Sequence, residues 1–199
     1  MEHKYNSSQE RIPTWKKNMI TYLHDLIYIM SVVVLLFLLI FRVVVVSGTS
    51  MQDTLVNGDY LLLIGKTFYA DPQAGDIIVA SKESFDNGDA IVKRIIATEG
   101  QTVDIDRDTG TVYVDGVALQ EDYTSTKITS LEGGEFPQTV EPGCVFVMGD
   151  NRGISKDSRS PEIGQIDERE ILGKVVFLLI PGRSKATGSP QFDRIGVIS

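Results

Sequence analysis

The chain has 199 residues, 42% hydrophobic and 23% charged, with a formal net charge of −8. That length allows one compact domain plus a short appendage, and excludes two large domains. There are no Pro/Ser/Gln tracts, charge runs or fixed-period repeats, so neither long disordered arms nor a solenoid is expected.

In chain order, the first feature is an N-terminal segment, 1–25, followed by an apolar run. From Leu26 to Phe41 there is no charge, and after Arg42 the run resumes with Val43 to Val46. About 20 helical residues span a bilayer core of about 30 Å, so 26–46 reads as a single membrane-spanning helix. Arg42 near its end can snorkel to the headgroups. A buried helix of a soluble domain is the plain alternative. A cleavable signal peptide would have a shorter apolar region and a small-residue cut site; this run is longer and ends in four valines. Arg11, Lys16 and Lys17 lie close before the run, whereas Arg42 and then Lys66 follow it. The positive-inside rule puts the N-terminus in the cytoplasm and 47–199 outside the cell membrane.

Subtracting the five Lys/Arg and three Asp/Glu up to Arg42 from the totals of 19 and 27 leaves 14 and 24 beyond it. An outer part of net −10 argues against a nucleic-acid partner. The single cysteine, Cys144, cannot form an internal disulfide. In its apolar run it reads as a small buried hydrophobe.

Beyond Ser47 the pattern is β. "DYLLLIG", "GDIIVAS", "AIVKRIIAT", "QTVDID", "TVYVDGVAL", "CVFVMGD" and "GKVVFLLIPG" are short, rich in Val, Ile, Leu and Tyr, and punctuated by Gly, Asp and Pro. "DRDTG" reads as a hairpin loop and Asp115-Gly116 as a tight turn. Asp167 is a candidate cap for a short helix over 167–172. The expected fold is mainly β: an antiparallel barrel or sandwich over 47–199 behind one N-terminal helix, with about 100–140 as a hairpin-and-loop subdomain.

Composition narrows the chemistry. The two histidines, His3 and His24, lie before or at the edge of the span, so the outer part can build neither a Ser-His-Asp triad nor a His/Cys zinc site. A serine nucleophile then needs a lysine base, and burial among apolar groups is what makes a lysine neutral. Lys93, flanked by Ile91, Val92, Ile95 and Ile96, has that setting. Strand alternation puts it on the face of Ile91 and Ile95, with Arg94 on the other. Read plainly, Lys93 is an edge-strand gatekeeper. The loop "MGDNRGISKDSRSPEIG" crowds Asp150, Asn151, Arg152, Ser155, Lys156, Asp157, Ser158 and Arg159 after an apolar strand. It is either a solvated turn or a brace, with Asp150 or Asp157 pairing Arg152 or Arg159.

Three blocks, "SGTSMQDTLVNGDYLLL", "GDIIVA…AIVKRIIATEGQTV" and "MGDNRGISKDSR", in this order behind the apolar run, resemble bacterial type I signal peptidases of the Ser–Lys kind. The resemblance covers the anchor and nearly all of 44–183. It implies Ser50 as nucleophile, Lys93 as general base and Ser155 as the hydroxyl orienting the base. Asp157 with Arg159 would be a bracing ion pair, supported by Asp150 and Arg152. Val44, Val46, Met51, Leu55, Ile91 and Val92 would line pockets for small residues. It implies no metal or other cofactor. The implied partners are signal peptides of exported preproteins, the lipid bilayer and the protein-export translocon. Gly48 stands where some members carry an assisting serine, beside Thr49. Asp53 stands where the family usually has Pro; close to Lys93 it would favour the ammonium, and it is expected to face solvent. Two other readings share these motifs. One is a self-cleaving Ser–Lys repressor-type peptidase, against which the apolar run argues. The other is a catalytically impaired anchored homologue acting in secretion or pilus assembly, for which Asp53 is the main support.

Overall fold

A computed structural model describes residues 14–82, 85, 88–124, 126–183 and 188–198. The chain divides into one unit up to Leu39 and a second from Ile40. In the first, helix α1 runs Thr14–Ile40. Its stretch Asn18–Ile40 is long and apolar enough to cross a membrane, and none of it is buried against protein. Apolar side chains all round a helix are what lipid exposure tolerates and water does not.

The apolar run read as one span over 26–46 is divided by the structure. The helix stops at Ile40, and Phe41–Val45 is strand β1, paired antiparallel with β2, Tyr60–Gly65. Val43 to Val46 are β-branched, a type that loses rotamer freedom in a helix and packs well on a pleated surface. Val46 belongs to the core of the second unit.

The remaining strands are β3 (Ile77–Ser81), β4 (Ala90–Thr98), β5 (Thr102–Ile105), β6 (Val112–Val114), β7 (Val117–Ala118), β8 (Gln138–Thr139), β9 (Cys144–Met148), β10 (Ile166–Asp167), β11 (Ile171–Ile180) and β12 (Gly196–Val197). All seven apolar segments named above hold strands. The larger sheet runs β1-β2-β11-β3-β4-β9-β10, with β12 also on β11; the smaller runs β7-β6-β5-β8. Every pairing is antiparallel. The expected mainly antiparallel β class is therefore what the chain adopts. Asp115 and Gly116, both at positive φ, turn the chain between β6 and β7, the conformation Asp-Gly favours in a tight hairpin. The helix expected over 167–172 is a single 3-10 turn, Glu168–Glu170, capped by Asp167 in a capping box, because Ile171 already enters β11. Cys144 is half-buried rather than enclosed.

Strand alternation builds a core on each face of the larger sheet. Ile77 and Val79 pack with Leu61, Leu63 and Val175 on one side; Ile78 and Ala80 pack with Ile95, Val147 and Ile171 on the other. A third cluster, around Phe146 and Met148, joins β9 to Val103, Ile105 and Val112 of the smaller sheet. Each fully buried Leu, Ile or Phe contributes about 1.5–3 kcal/mol relative to exposure. What matters for the site is register. Arg94 of β4 lies opposite Met148, the last residue of β9, so the polar loop that follows β9 emerges beside Lys93 and Arg94.

The β2–β11 seam has no room at Gly173, where a Cβ would lie 2.3 Å from the Ile64 carbonyl oxygen. Gly173→Ala is expected to lower unfolding free energy by about 1–3 kcal/mol, the usual cost of overpacking, measurable by denaturant titration.

Candidate active site

Ser50 sits in an irregular turn between β1 and β2, where Thr, Ser, Gly and Asp favour turns over strand continuation. Gly48 takes φ 99°, a left-handed conformation that costs glycine little. Lys93 occupies the middle of β4. Its Nζ donates to Ser50 Oγ at 2.7 Å. Lys93 is only 5% exposed. Burial pushes its pKa down from 10.5 to about 8, together with the Arg159 charge and against the opposing pull of Asp157 and Asp150. The face that carries it is the one expected from alternation: Ile91 and Ile95 pack in the cluster on its side, Val92 in the cluster on the other.

The expected brace is present, with one pairing as read and one exchanged. Arg159 and Asp157 form a buried two-point ion pair, Nε to Oδ1 at 2.8 Å and Nη2 to Oδ2 at 2.9 Å. Asp150 does not pair with Arg152. It is held by Arg94, Nε to Oδ1 at 3.0 Å and Nη2 to Oδ2 at 2.9 Å, and accepts from Thr54 Oγ1 at 2.6 Å. Arg152 turns the other way because its Nε donates to the Gly149 carbonyl; its terminal nitrogens reach Glu121, Nη1 to Oε2 at 2.8 Å. Paired and fully hydrogen-bonded burial is the condition under which charges are tolerated inside a protein.

The backbone around Ser50 is held by the same loop. Asn151 N–H donates to the Ser50 carbonyl at 3.0 Å and Asn151 Nδ2 to the Thr49 carbonyl at 3.2 Å. Gly149 N–H donates to Asp157 Oδ2 at 3.0 Å. Gly149 fits only as glycine: a Cβ there would lie 2.2 Å from Ser155 Oγ and 2.4 Å from the Ser50 carbonyl oxygen. Ser155 is thus buried against Gly149, and the expected hydrogen bond from it to Lys93 is not made. Its Oγ faces the Lys156 carbonyl at 3.4 Å, while Lys93 turns to Ser50.

Asp53 is exposed, as expected. The peptide bond joining it to Gln52 is cis. The carboxylates acting on Lys93 are Asp157 and Asp150. The expected pocket residues divide in two. Val46, Met51 and Leu55 are core members, Leu55 with 0% exposure, so they form the packing behind the surface and not a lining. Val44, Ile91 and Val92 remain half-buried. Reading the sequence missed the partnerships of Arg94, Thr54, Glu121 and Tyr123. The signal for Arg94 was available: a second cation in an apolar strand needs a buried carboxylate. Nothing local marks Glu121 or Tyr123.

A model of the family described as signal peptidase, peptidase S26, matches residues 19–180. The chain is similar to signal peptidase I T of Bacillus subtilis strain 168, at 34% identity over 193 residues, covering 91% of this chain and 96% of that protein. Signal peptidase I of Bacillus licheniformis is 30% identical over 182 residues, covering 87% and 95%. The probable signal peptidase I-1 of a Synechocystis species is 37% identical over 146 residues, covering 68% and 69%. Among solved structures, a signal peptidase I from Enterococcus faecalis V583 is 36% identical with a TM-score of 0.43, covering 52% of this chain and 96% of that one.

Because folded Lys93 releases its proton near pH 8 and an unfolded lysine near 10.5, the unfolded state binds more protons between those values. Stability should therefore rise with pH across that window, by roughly 3 kcal/mol in all for this group. Below about pH 8 the full penalty is present, so Lys93→Met is expected to be more stable than the parent at pH 7, with the advantage shrinking by pH 10. Unfolding free energies of both proteins at the two pH values check this.

Proposed function

The chain belongs to the signal peptidase family, peptidase S26, and on that premise we propose that it removes signal peptides from exported preproteins, with Ser50 as nucleophile and Lys93 as general base. It is a serine endopeptidase by family. The single observation that carries the residue assignment is the 2.7 Å contact between Ser50 Oγ and a buried Lys93 Nζ. A serine hydroxyl is a weak nucleophile until a base takes its proton. A lysine titrating near pH 8 supplies neutral amine at physiological pH.

The chemistry is acyl transfer. Neutral Lys93 takes the Ser50 proton as Oγ attacks the scissile carbonyl carbon. The Ser50 N–H, which has no acceptor among the described residues, donates to the developing oxyanion. Single donors of this kind are worth about 3 kcal/mol where they have been removed. The lysine ammonium then protonates the leaving amine, and the freed amine activates the water that releases the acyl group. Asp157–Arg159 and Asp150–Arg94 keep the loop fixed while satisfying each carboxylate with a guanidinium, so neither is left to bind the ammonium as its own counterion.

Substrate binding follows from an unpaired strand edge. β3 pairs with Ala90–Arg94 on one side of β4, while β9 pairs with β4 only from Arg94 onward. Residues 90–93 thus carry a backbone edge beside Lys93, onto which an extended peptide can add as a strand. Half-buried Ile91 and Val92, on opposite faces of that edge, offer shallow apolar positions, which suit small side chains before the cut. Asn18–Ile40 would anchor the enzyme in the membrane. The charge bias around it would leave the N-terminus cytoplasmic and the second unit, with Ser50, outside.

In detergent, Ser50→Ala and Lys93→Ala are each expected to abolish cleavage of a preprotein while the protein still unfolds cooperatively; retained cleavage by either variant would reject the assignment. For the parent, kcat/KM should fall about tenfold per pH unit below the Lys93 pKa near 8, since the ammonium is inactive. A profile flat from pH 6 to 9 would exclude Lys93 as the base.

A further inference from the structure

Glu121 and Tyr123 follow β7 of the smaller sheet and lie outside all three sequence blocks that carry the Ser–Lys motifs. Yet the segment they open touches the catalytic loop repeatedly. The Glu121 carboxylate takes both terminal nitrogens of Arg152, one at 2.8 Å. Tyr123 OH donates to Glu121 Oε1 at 2.9 Å. The Tyr123 ring lies 4.0 Å from the Arg94 guanidinium carbon and 6.0 Å from that of Arg152. Three residues on, Thr126 Oγ1 donates to Asn151 Oδ1 at 3.0 Å and accepts from Gly153 N–H at 3.2 Å.

The two arginines so gripped are the ones that hold the Ser50 turn. Arg94 fixes Asp150, which receives Thr54 Oγ1. Arg152 holds the Gly149 carbonyl through Nε, and Gly149 is wedged between Ser155 and the Ser50 carbonyl. Asn151, next in the chain to Arg152, carries the Ser50 and Thr49 carbonyls. Both arginines are buried, Arg94 at 2% and Arg152 at 3% exposure. Losing the partner of a buried charge frees it to seek another or drags the loop that bears it. Cation–π contact adds an attraction that depends on the ring and not on its hydroxyl.

We propose that Glu121 and Tyr123 are positioning residues of the Ser50–Lys93 centre: acting through Arg152 and Arg94, they set where the Ser50 turn stands relative to Lys93. This rests on the assignment of Ser50 and Lys93 above. It differs from simple packing of the smaller sheet against the larger in what it predicts. Packing alone would lower stability and leave the chemistry of the folded molecules unchanged. A positioning role lowers kcat in molecules that remain folded, because small misplacements of reacting groups are costly.

The test uses the full chain in detergent, a synthetic peptide with Ala at the first and third positions before the cut, and assays well below the Tm of each variant. Glu121→Gln, close in shape but uncharged, is expected to lower kcat by about tenfold or more with KM within about twofold. Tyr123→Leu should act in the same direction, and Tyr123→Phe, which keeps the ring over Arg94, should restore most of the loss. Should Glu121→Gln fail to fold, the Tyr123 pair decides alone. The proposal is overturned when Tyr123→Leu, and any folded Glu121→Gln, keep kcat within about twofold of the parent, or when Tyr123→Phe is as impaired as Tyr123→Leu. Ser50→Ala runs alongside. Cleavage by that variant would sink the underlying assignment, whereas its inactivity beside an unimpaired Tyr123→Leu would sink this inference only.

Discussion

Two cations in succession, Lys93 and Arg94, are buried in one strand, and the molecule treats them in opposite ways. Alternation along β4 puts them on opposite faces. Arg94 receives a two-point carboxylate, Asp150, and an aromatic face, Tyr123. Lys93 receives a hydroxyl and no carboxylate within ion-pair distance among the described residues. Chemistry of the two side chains makes this division workable. A guanidinium stays charged under any burial and must be paired, whereas an ammonium can escape the cost of burial by losing its proton.

The carboxylates near Lys93 would undo this if left alone, since both Asp157 and Asp150 favour its ammonium. Each is instead engaged at two points by an arginine, Arg159 for the first and Arg94 for the second. The ion pairs thus serve two ends. They fix the loop after β9, and they keep the loop's negative charge from becoming a counterion for Lys93. The loop then holds the Ser50 turn, which has no regular secondary structure of its own, through Asn151 and Gly149. Residues roughly a hundred positions apart meet because Arg94 and Met148 share a register position.

The parts legible in the sequence are those set by local rules. Short β-branched segments between turn residues predicted β2, β3, β4, β5, β6, β9 and β11. The lack of histidine in the outer part, with the three motif blocks, pointed to Ser50 and Lys93, which the fold brings to 2.7 Å. Spacing in the loop left Asp150 or Asp157 open to either Arg152 or Arg159, and the resemblance alone singled out Asp157 with Arg159, the pair the structure forms. What was not legible depends on partners from elsewhere. Apolarity alone cannot tell a helix from a strand, so in a run that stays apolar to Val46 the end of the helix at Ile40 was not legible. The two-residue strands β8, β10 and β12 exist only through their pairing. Arg152 chose Glu121 over Asp150, a choice set by where the smaller sheet delivers its chain.

The end of β9 carries more of the site than any single side chain. Had β9 continued beyond Met148, it would have paired the edge of β4 along residues 90–93. It stops there because Gly149 must pass between Ser155 and the Ser50 carbonyl without a Cβ, and because Asp150 must turn to meet Arg94. Among the described residues, the same interruption leaves the β9-side edge of β4 beside Lys93 unpaired and supplies the residues that hold the Ser50 turn. An unpaired edge is ordinarily a liability that proteins blunt or cover. Here it is short, four residues at most, and bounded by the loop that braces the Ser50 turn. A chain laid on that edge would therefore run past the Ser50–Lys93 contact, which ties the proposed mode of peptide binding and the proposed chemistry to one break in the sheet.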